Sequence, residues 1–180
     1  QNIQAAINSI AAYEKIGLDK ASKILEQHRA KSFSTSGILN KLEIPPELFK
    51  HYQLEMIHPE EIITSDLELC SKIRELKPFF KLILLTNTRR EIADKIIEKL
   101  GFLSGDFDLI LGGGDFSPPK PSVEVVKQAL KMVSADASGS YAVGDRWRVD
   151  LEPAQDLGMN TVEVKSRDEL INWIKQMLQQ

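Results

Sequence analysis

Three short apolar runs, at residues 82–85, 109–111 and 141–143, each break off abruptly into polar or glycine-rich sequence, and stretches with helical spacing lie between them. Strands that alternate with helices predict a parallel sheet joined by crossover helices. The alternation begins after His58-Pro59. It reads as a helix over 66–76, the strand 82–85, a helix over 89–100 stopped by Gly101, and a strand over 107–111. A helix over 122–132, the strand 141–143, a short helix from Leu151, a strand over 161–164 and a helix over 168–178 complete it. The last helix puts Leu170, Ile171, Ile174, Met177 and Leu178 on one side, as packing on a sheet requires.

Residues 1–56 have a different character. Apolar residues recur at helical intervals, first at Ile3, Ile7 and Ile10 and then at Ala21, Ile24 and Leu25, with breaks at Gly17 and at Ser34-Thr35-Ser36-Gly37. Pro45-Pro46 suits the opening of a further helix, because proline at a first helical position gives up only an unpaired amide. The expected organisation is therefore a small helical subdomain over 1–65 and an α/β core over 66–180. A chain of 180 residues has room for both.

No apolar run approaches the roughly 20 residues that cross a bilayer. A net charge of −3 gives no electrostatic footprint for nucleic acid. A single cysteine, Cys70, excludes an intramolecular disulfide and reads as a buried helix residue. The cytoplasm is the expected compartment. The first residue is Gln1 rather than methionine, so the expectation is that something upstream has been cut off or processed.

In open parallel sheets, ligands bind outside the carboxyl ends of the strands. Three polar motifs fall at that edge. Asp145 and Asp150, five residues apart after the run ending at Gly144, suit magnesium, which takes one or two protein carboxylates together with phosphate and water; equally, Asp150 can cap the helix from Leu151 and Asp145 can decorate a turn. In Thr86-Asn87-Thr88, the Thr86 hydroxyl and following amides can bind a phosphate oxygen, with Asn87 a substrate or positioning contact; the bland alternative is a helix cap. Lys120 ends a loop rich in glycine and proline, where a fixed ammonium offsets charge on a phosphoryl group, although most loop lysines are simply solvated. Arg146, Trp147 and Arg148 lie between the two aspartates, where they can contact a substrate, although Trp147 is expected instead to pack against the loop or cap; His28, His51 and His58 lack metal-ligand spacing and are expected to be surface or cap residues.

Together LLTN (84–87), PPKP (118–121) and VGDRWRVDLEPAQDLGM (143–159) resemble the haloacid dehalogenase superfamily, predominantly phosphohydrolases, in order and separation over essentially the whole chain. The resemblance implies a Rossmann-like parallel sheet with helices on both faces and a small α-helical cap. It assigns Thr86 as the phosphate-binding hydroxyl, Lys120 as the catalytic lysine, Asp145 as a magnesium ligand and Asp150 as its supporting acid. Members of the superfamily carry an aspartate nucleophile in a DxDx(T/V) motif at the end of a first, mid-sheet strand, and form an aspartyl-phosphate that water hydrolyses. No such motif occurs in this chain. That strand and its nucleophile are therefore expected to lie outside these residues, leaving its neighbours with unpaired backbone groups.

The expected function is a magnesium-dependent phosphatase of a small phosphorylated metabolite, inactive as these 180 residues alone. A catalytically inactive phosphate-binding or regulatory protein is the alternative of a different class. A 2-haloacid dehalogenase needs no metal, and the Asp145/Asp150 pair argues against it.

Overall fold

The structure, a computed structural model, describes residues 1–29 and 34–179. The chain divides into two compact units, Gln1–Glu61 and Ile62–Gln180. In the first unit lie α1 (Asn2–Glu14), α2 (Leu18–Arg29), α3 (Thr35–Lys41) and α4 (Pro46–Met56), while the short α5 (Pro59–Ile62) falls at the boundary. Sequence punctuation sets their ends. Lys15 leaves α1 in the left-handed region, the Ser34 hydroxyl accepts the Gly37 amide to start α3, and Pro46 opens α4. Ala5, Ala6 and Ile10 of α1 pack with Leu25, Leu39 and Phe49 into one apolar cluster, and Ile3 is left exposed.

The second unit holds α6 (Leu67–Glu75), β1 (Ile83–Arg89), α7 (Arg90–Leu100), β2 (Leu109–Gly113), α8 (Val123–Met132), β3 (Tyr141–Gly144), α9 (Glu152–Gln155), β4 (Asn160–Glu163) and α10 (Arg167–Met177). A π-helical turn, Trp147–Leu151, leads into α9. Asp66, Ser122 and Ser166 cap α6, α8 and α10 through their side chains, and Gly101 ends α7 at φ 103°. Cys70 is fully buried and its thiol donates to the Leu100 carbonyl, tying α6 to the end of α7. No helix among the described residues is long and apolar enough to cross a membrane.

Among the described residues β1 pairs with β2 and β3 with β4, both in parallel, as two two-stranded sheets. Two strands depart from the sequence reading: β2 runs from Leu109 to Gly113 rather than over 107–111, and β1 does not end at Leu85 but stays extended through Arg89, with a register irregularity between Leu85 and Arg89. The cause lies in Asn87, whose side chain is pinned across the strand end, and in the pairing of Arg89 with Gly113.

Gly112 makes the β2–α7 packing possible. A Cβ there would stand 2.5 Å from the Arg90 Cα and 2.8 Å from its nitrogen, and backbone at that range cannot swing aside. Gly112→Ala is expected to destabilise the second unit by about 3 kcal/mol, read as a fall in the urea midpoint at unchanged slope.

Asp66 caps α6 and also receives the Arg167 guanidinium from α10. Hydrogen bonding to Arg167 first, and to the Leu69 amide second, holds its carboxyl at about 2 against an ordinary 3.8. A depressed folded-state value stabilises above the unfolded pKa, and the gain is lost as pH falls through the folded one. The melting-temperature gap between the native chain and Asp66→Asn is thus expected to be constant at neutral pH. It should close as the pH drops from about 4 towards 2.

Candidate functional site

At the carboxyl end of β1 the Thr86 hydroxyl accepts the Thr88 amide at 3.1 Å, which fixes the hydroxyl against the strand end with its proton free to donate. Neither Asn87 nor Thr88 caps α7; the N-cap position is Arg89, whose side chain makes no capping hydrogen bond. Asn87 instead reaches across to Lys120. Its Nδ2 donates to the Lys120 carbonyl at 2.7 Å, and its Oδ1 accepts the Lys120 amide at 2.9 Å. This two-point clamp fixes the lysine backbone against the end of β1.

The loop from β2 to Lys120 is anchored at its start as well. Asp115 accepts the Gly112 amide at 2.9 Å and lies 3.5 Å from the Arg90 guanidinium. Held at both ends, the loop delivers Lys120 inward, and its side chain is only 11% exposed, so the solvated-lysine alternative does not hold. The ammonium donates to the Leu85 carbonyl at 2.7 Å and to Asp150 Oδ1 at 2.7 Å. One cation therefore bridges the end of β1 and the turn after β3.

The Asp150 side chain is 10% exposed. It does not cap α9; besides Lys120 it meets Arg146 Nε at 3.4 Å. Gly144 admits it to this place, because a Cβ at 144 would stand 2.7 Å from the Asp150 Cβ. Asp145 is arranged differently. Its carboxylate is exposed and takes no hydrogen bond or ion pair among the described residues, while its backbone carbonyl accepts from Lys165 Nζ at 2.6 Å. Trp147, Arg146 and Arg148 are exposed on the π-helical turn.

The structure thus joins Thr86, Asn87, Lys120 and Asp150 through β1 and one bridging lysine, and sets Asp145 beside them in chain order with an open carboxylate. Among the described residues no group of three or more His, Cys, Asp or Glu forms a protein-only metal cage. Magnesium does not need one, since it keeps waters and binds through one or two carboxylates plus phosphate. Asp145 suits that demand directly. Asp150 suits it through Oδ2, whose bond to the exposed Arg146 is long, while Oδ1 stays with Lys120.

Two features of the site carry no sequence motif of their own. Gly144 reads as a strand end, and the clamp on Lys120 depends on a contact 33 residues away. The only Asp-x-Asp in the chain, Asp106-Phe107-Asp108, is occupied elsewhere. Asp106 is buried against Arg74 and the Leu103 amide, and Asp108 accepts the Leu82 amide at the amino end of the strands. Neither carboxylate is available as a nucleophile at the Thr86 edge.

Comparison with known proteins gives a consistent picture. The family model described as haloacid dehalogenase-like hydrolase matches residues 1–164. The chain is 37% identical over 82 residues to a phosphoglycolate phosphatase of Aquifex aeolicus, covering 46% of this chain and 38% of that protein. It is 38% identical over 58 residues to a glyceraldehyde 3-phosphate phosphatase of Methanocaldococcus jannaschii, covering 32% and 25%. Both matches thus span well under half of the relative's length. Among solved structures, a HAD phosphatase from Thermococcus onnurineus superposes with a TM-score of 0.56 at 17% identity, over 90% of this chain and 76% of that one.

Proposed function

This chain belongs to the haloacid dehalogenase-like hydrolase family, and on that footing we propose that it is a magnesium-dependent phosphatase acting on a small phosphorylated metabolite. The observation that carries the reading is the placement of Lys120, a nearly buried ammonium fixed between the end of β1 and Asp150. A cation held at a strand end, in the same strand-end region as the Thr86 hydroxyl, suits a phosphoryl group better than a neutral ligand. The two phosphatases named above support the same substrate class.

In this reading Thr86 donates its hydroxyl proton to a phosphate oxygen. Lys120 neutralises charge shared between that phosphate and the attacking carboxylate. Asn87 and Asp150 keep the ammonium in place, and Asp145 holds the cation. Magnesium, when bound, draws charge from the phosphoryl oxygens. The attacking carboxylate is an aspartate on a segment outside these 180 residues; its attack forms an aspartyl-phosphate and releases the alcohol, and water then frees inorganic phosphate. Residues 1–65 take the part of a helical cap and 66–180 that of the core.

The test is to fuse an apolar strand ending in Asp-x-Asp ahead of Gln1 and assay p-nitrophenyl phosphate. Hydrolysis is expected only with magnesium. An equal rate in chelator would remove this reading, and no hydrolysis by a folded fusion would favour a phosphate-binding protein without turnover.

A further inference from the structure

β3 ends at Gly144, whose carbonyl accepts the Val164 amide at 3.0 Å, just beyond the final register pair of Gly144 with Glu163. The Arg146 carbonyl accepts the Val149 amide at 3.1 Å and the Asp150 amide at 2.8 Å, which starts the π-helical turn. Asp145 lies between these two anchored carbonyls. Its own carbonyl accepts the Lys165 ammonium at 2.6 Å, from the segment that follows β4.

Lys165 is itself anchored. The Glu163 carboxylate at the end of β4 pairs with its ammonium. Its amide donates to Glu169 Oε2 at 2.7 Å, and the Ser166 hydroxyl accepts the Glu169 amide at 3.2 Å, so the first turn of α10 fixes the lysine's backbone. With a side chain 58% exposed, an ion pair to Glu163 alone would contribute little. The bond to a main-chain oxygen of the turn after β3 gives the side chain a second task. The ammonium takes the Asp145 carbonyl and leaves the Asp145 carboxylate without a hydrogen bond or ion pair among the described residues.

We propose that Lys165 is a positioning residue for Asp145: by holding the peptide that follows the Asp145 Cα, it sets the direction in which the carboxylate leaves the chain and keeps it open to a divalent cation. Magnesium demands near-ideal octahedral oxygen geometry, so a carboxylate on a fixed backbone binds it better than one on a mobile turn. Groups that orient a metal ligand without touching the metal change its affinity by about ten- to a hundredfold. This role rests on the magnesium-dependent reading of the site, to which it adds the group that orients the ligand.

The charge of Lys165 lets the sign of the effect decide. As a bare cation near the site the ammonium repels magnesium, and its removal would tighten binding. As the group that holds Asp145, its removal weakens binding. Calorimetric titration of magnesium chloride into the whole chain at saturating inorganic phosphate reads the difference. Lys165→Met keeps the stem and loses the donor, and its magnesium dissociation constant is expected to rise about tenfold. Its melting temperature should move by no more than about 2 °C, because the side chain is exposed. Lys165→Arg keeps a cationic donor and should recover most of the affinity. Magnesium bound by Lys165→Met as tightly as by the native chain, or more tightly, overturns the proposal and leaves the magnesium reading of Asp145 standing. Equal weakening in Lys165→Arg overturns it too, as does a large fall in melting temperature beside the lost affinity, which would make Lys165 a structural residue. A native chain that takes up no magnesium removes the magnesium reading and the proposal with it.

Discussion

Lys120→Ala is expected to lower the stability of the second unit by about 3 kcal/mol and to remove phosphate binding together with it. The stability term comes from what is left behind. Asp150 is 10% exposed and keeps only a 3.4 Å contact to Arg146, so the substitution leaves a nearly buried carboxylate without its main partner. Breaking a buried pair by removing one member costs about 3–5 kcal/mol, whereas replacing both members with apolar side chains of similar volume is often neutral. Lys120→Met with Asp150→Leu should accordingly recover much of the stability lost in Lys120→Ala, while phosphate binding stays absent. Urea midpoints and a phosphate titration on the native chain and the two variants separate the two roles. A double variant as unstable as the single one would contradict the assignment of the loss to an unpaired Asp150 carboxylate.

Asp145→Asn is the complementary case, with a large effect on chemistry and almost none on the fold. Its carboxylate is exposed and unbonded among the described residues, so stability should change by no more than about 0.5 kcal/mol. In the fused form that carries an Asp-x-Asp strand, magnesium-dependent hydrolysis should fall by about a hundred- to a thousandfold, the range for loss of a group that stabilises transition-state charge. The pair of measurements is diagnostic. Lost activity with an unchanged melting curve identifies a ligand, whereas parallel losses identify a structural residue.

Much of this was legible in the residues because the relevant signals are local. Apolar runs flanked by helical spacing located the strands described, and the ranges expected for α6, α7, α8 and α10 fall within a residue or two of those observed, with Gly101 ending α7. Thr86, Lys120 and the Asp145/Asp150 pair stood out because each follows a strand. What escaped is non-local. That Asn87 holds the Lys120 backbone depends on two strand ends meeting in space. That Asp150 pairs with a lysine 30 residues away, rather than capping α9, depends on burial and on the missing Cβ at Gly144. The extension of β1 through Arg89 follows from these contacts, and no propensity of Thr-Asn-Thr signals it.

In the proposed site Thr86, Lys120 and Asp145 serve one phosphate together with one magnesium ion. Two ligands that share a site and attract each other must tighten each other's binding by the same factor. Titration of the 180-residue chain with inorganic phosphate, with and without magnesium, measures that factor directly. About tenfold tighter phosphate binding in magnesium is expected, and the gain should vanish in Asp145→Asn. Equal phosphate affinity with and without magnesium would contradict the account.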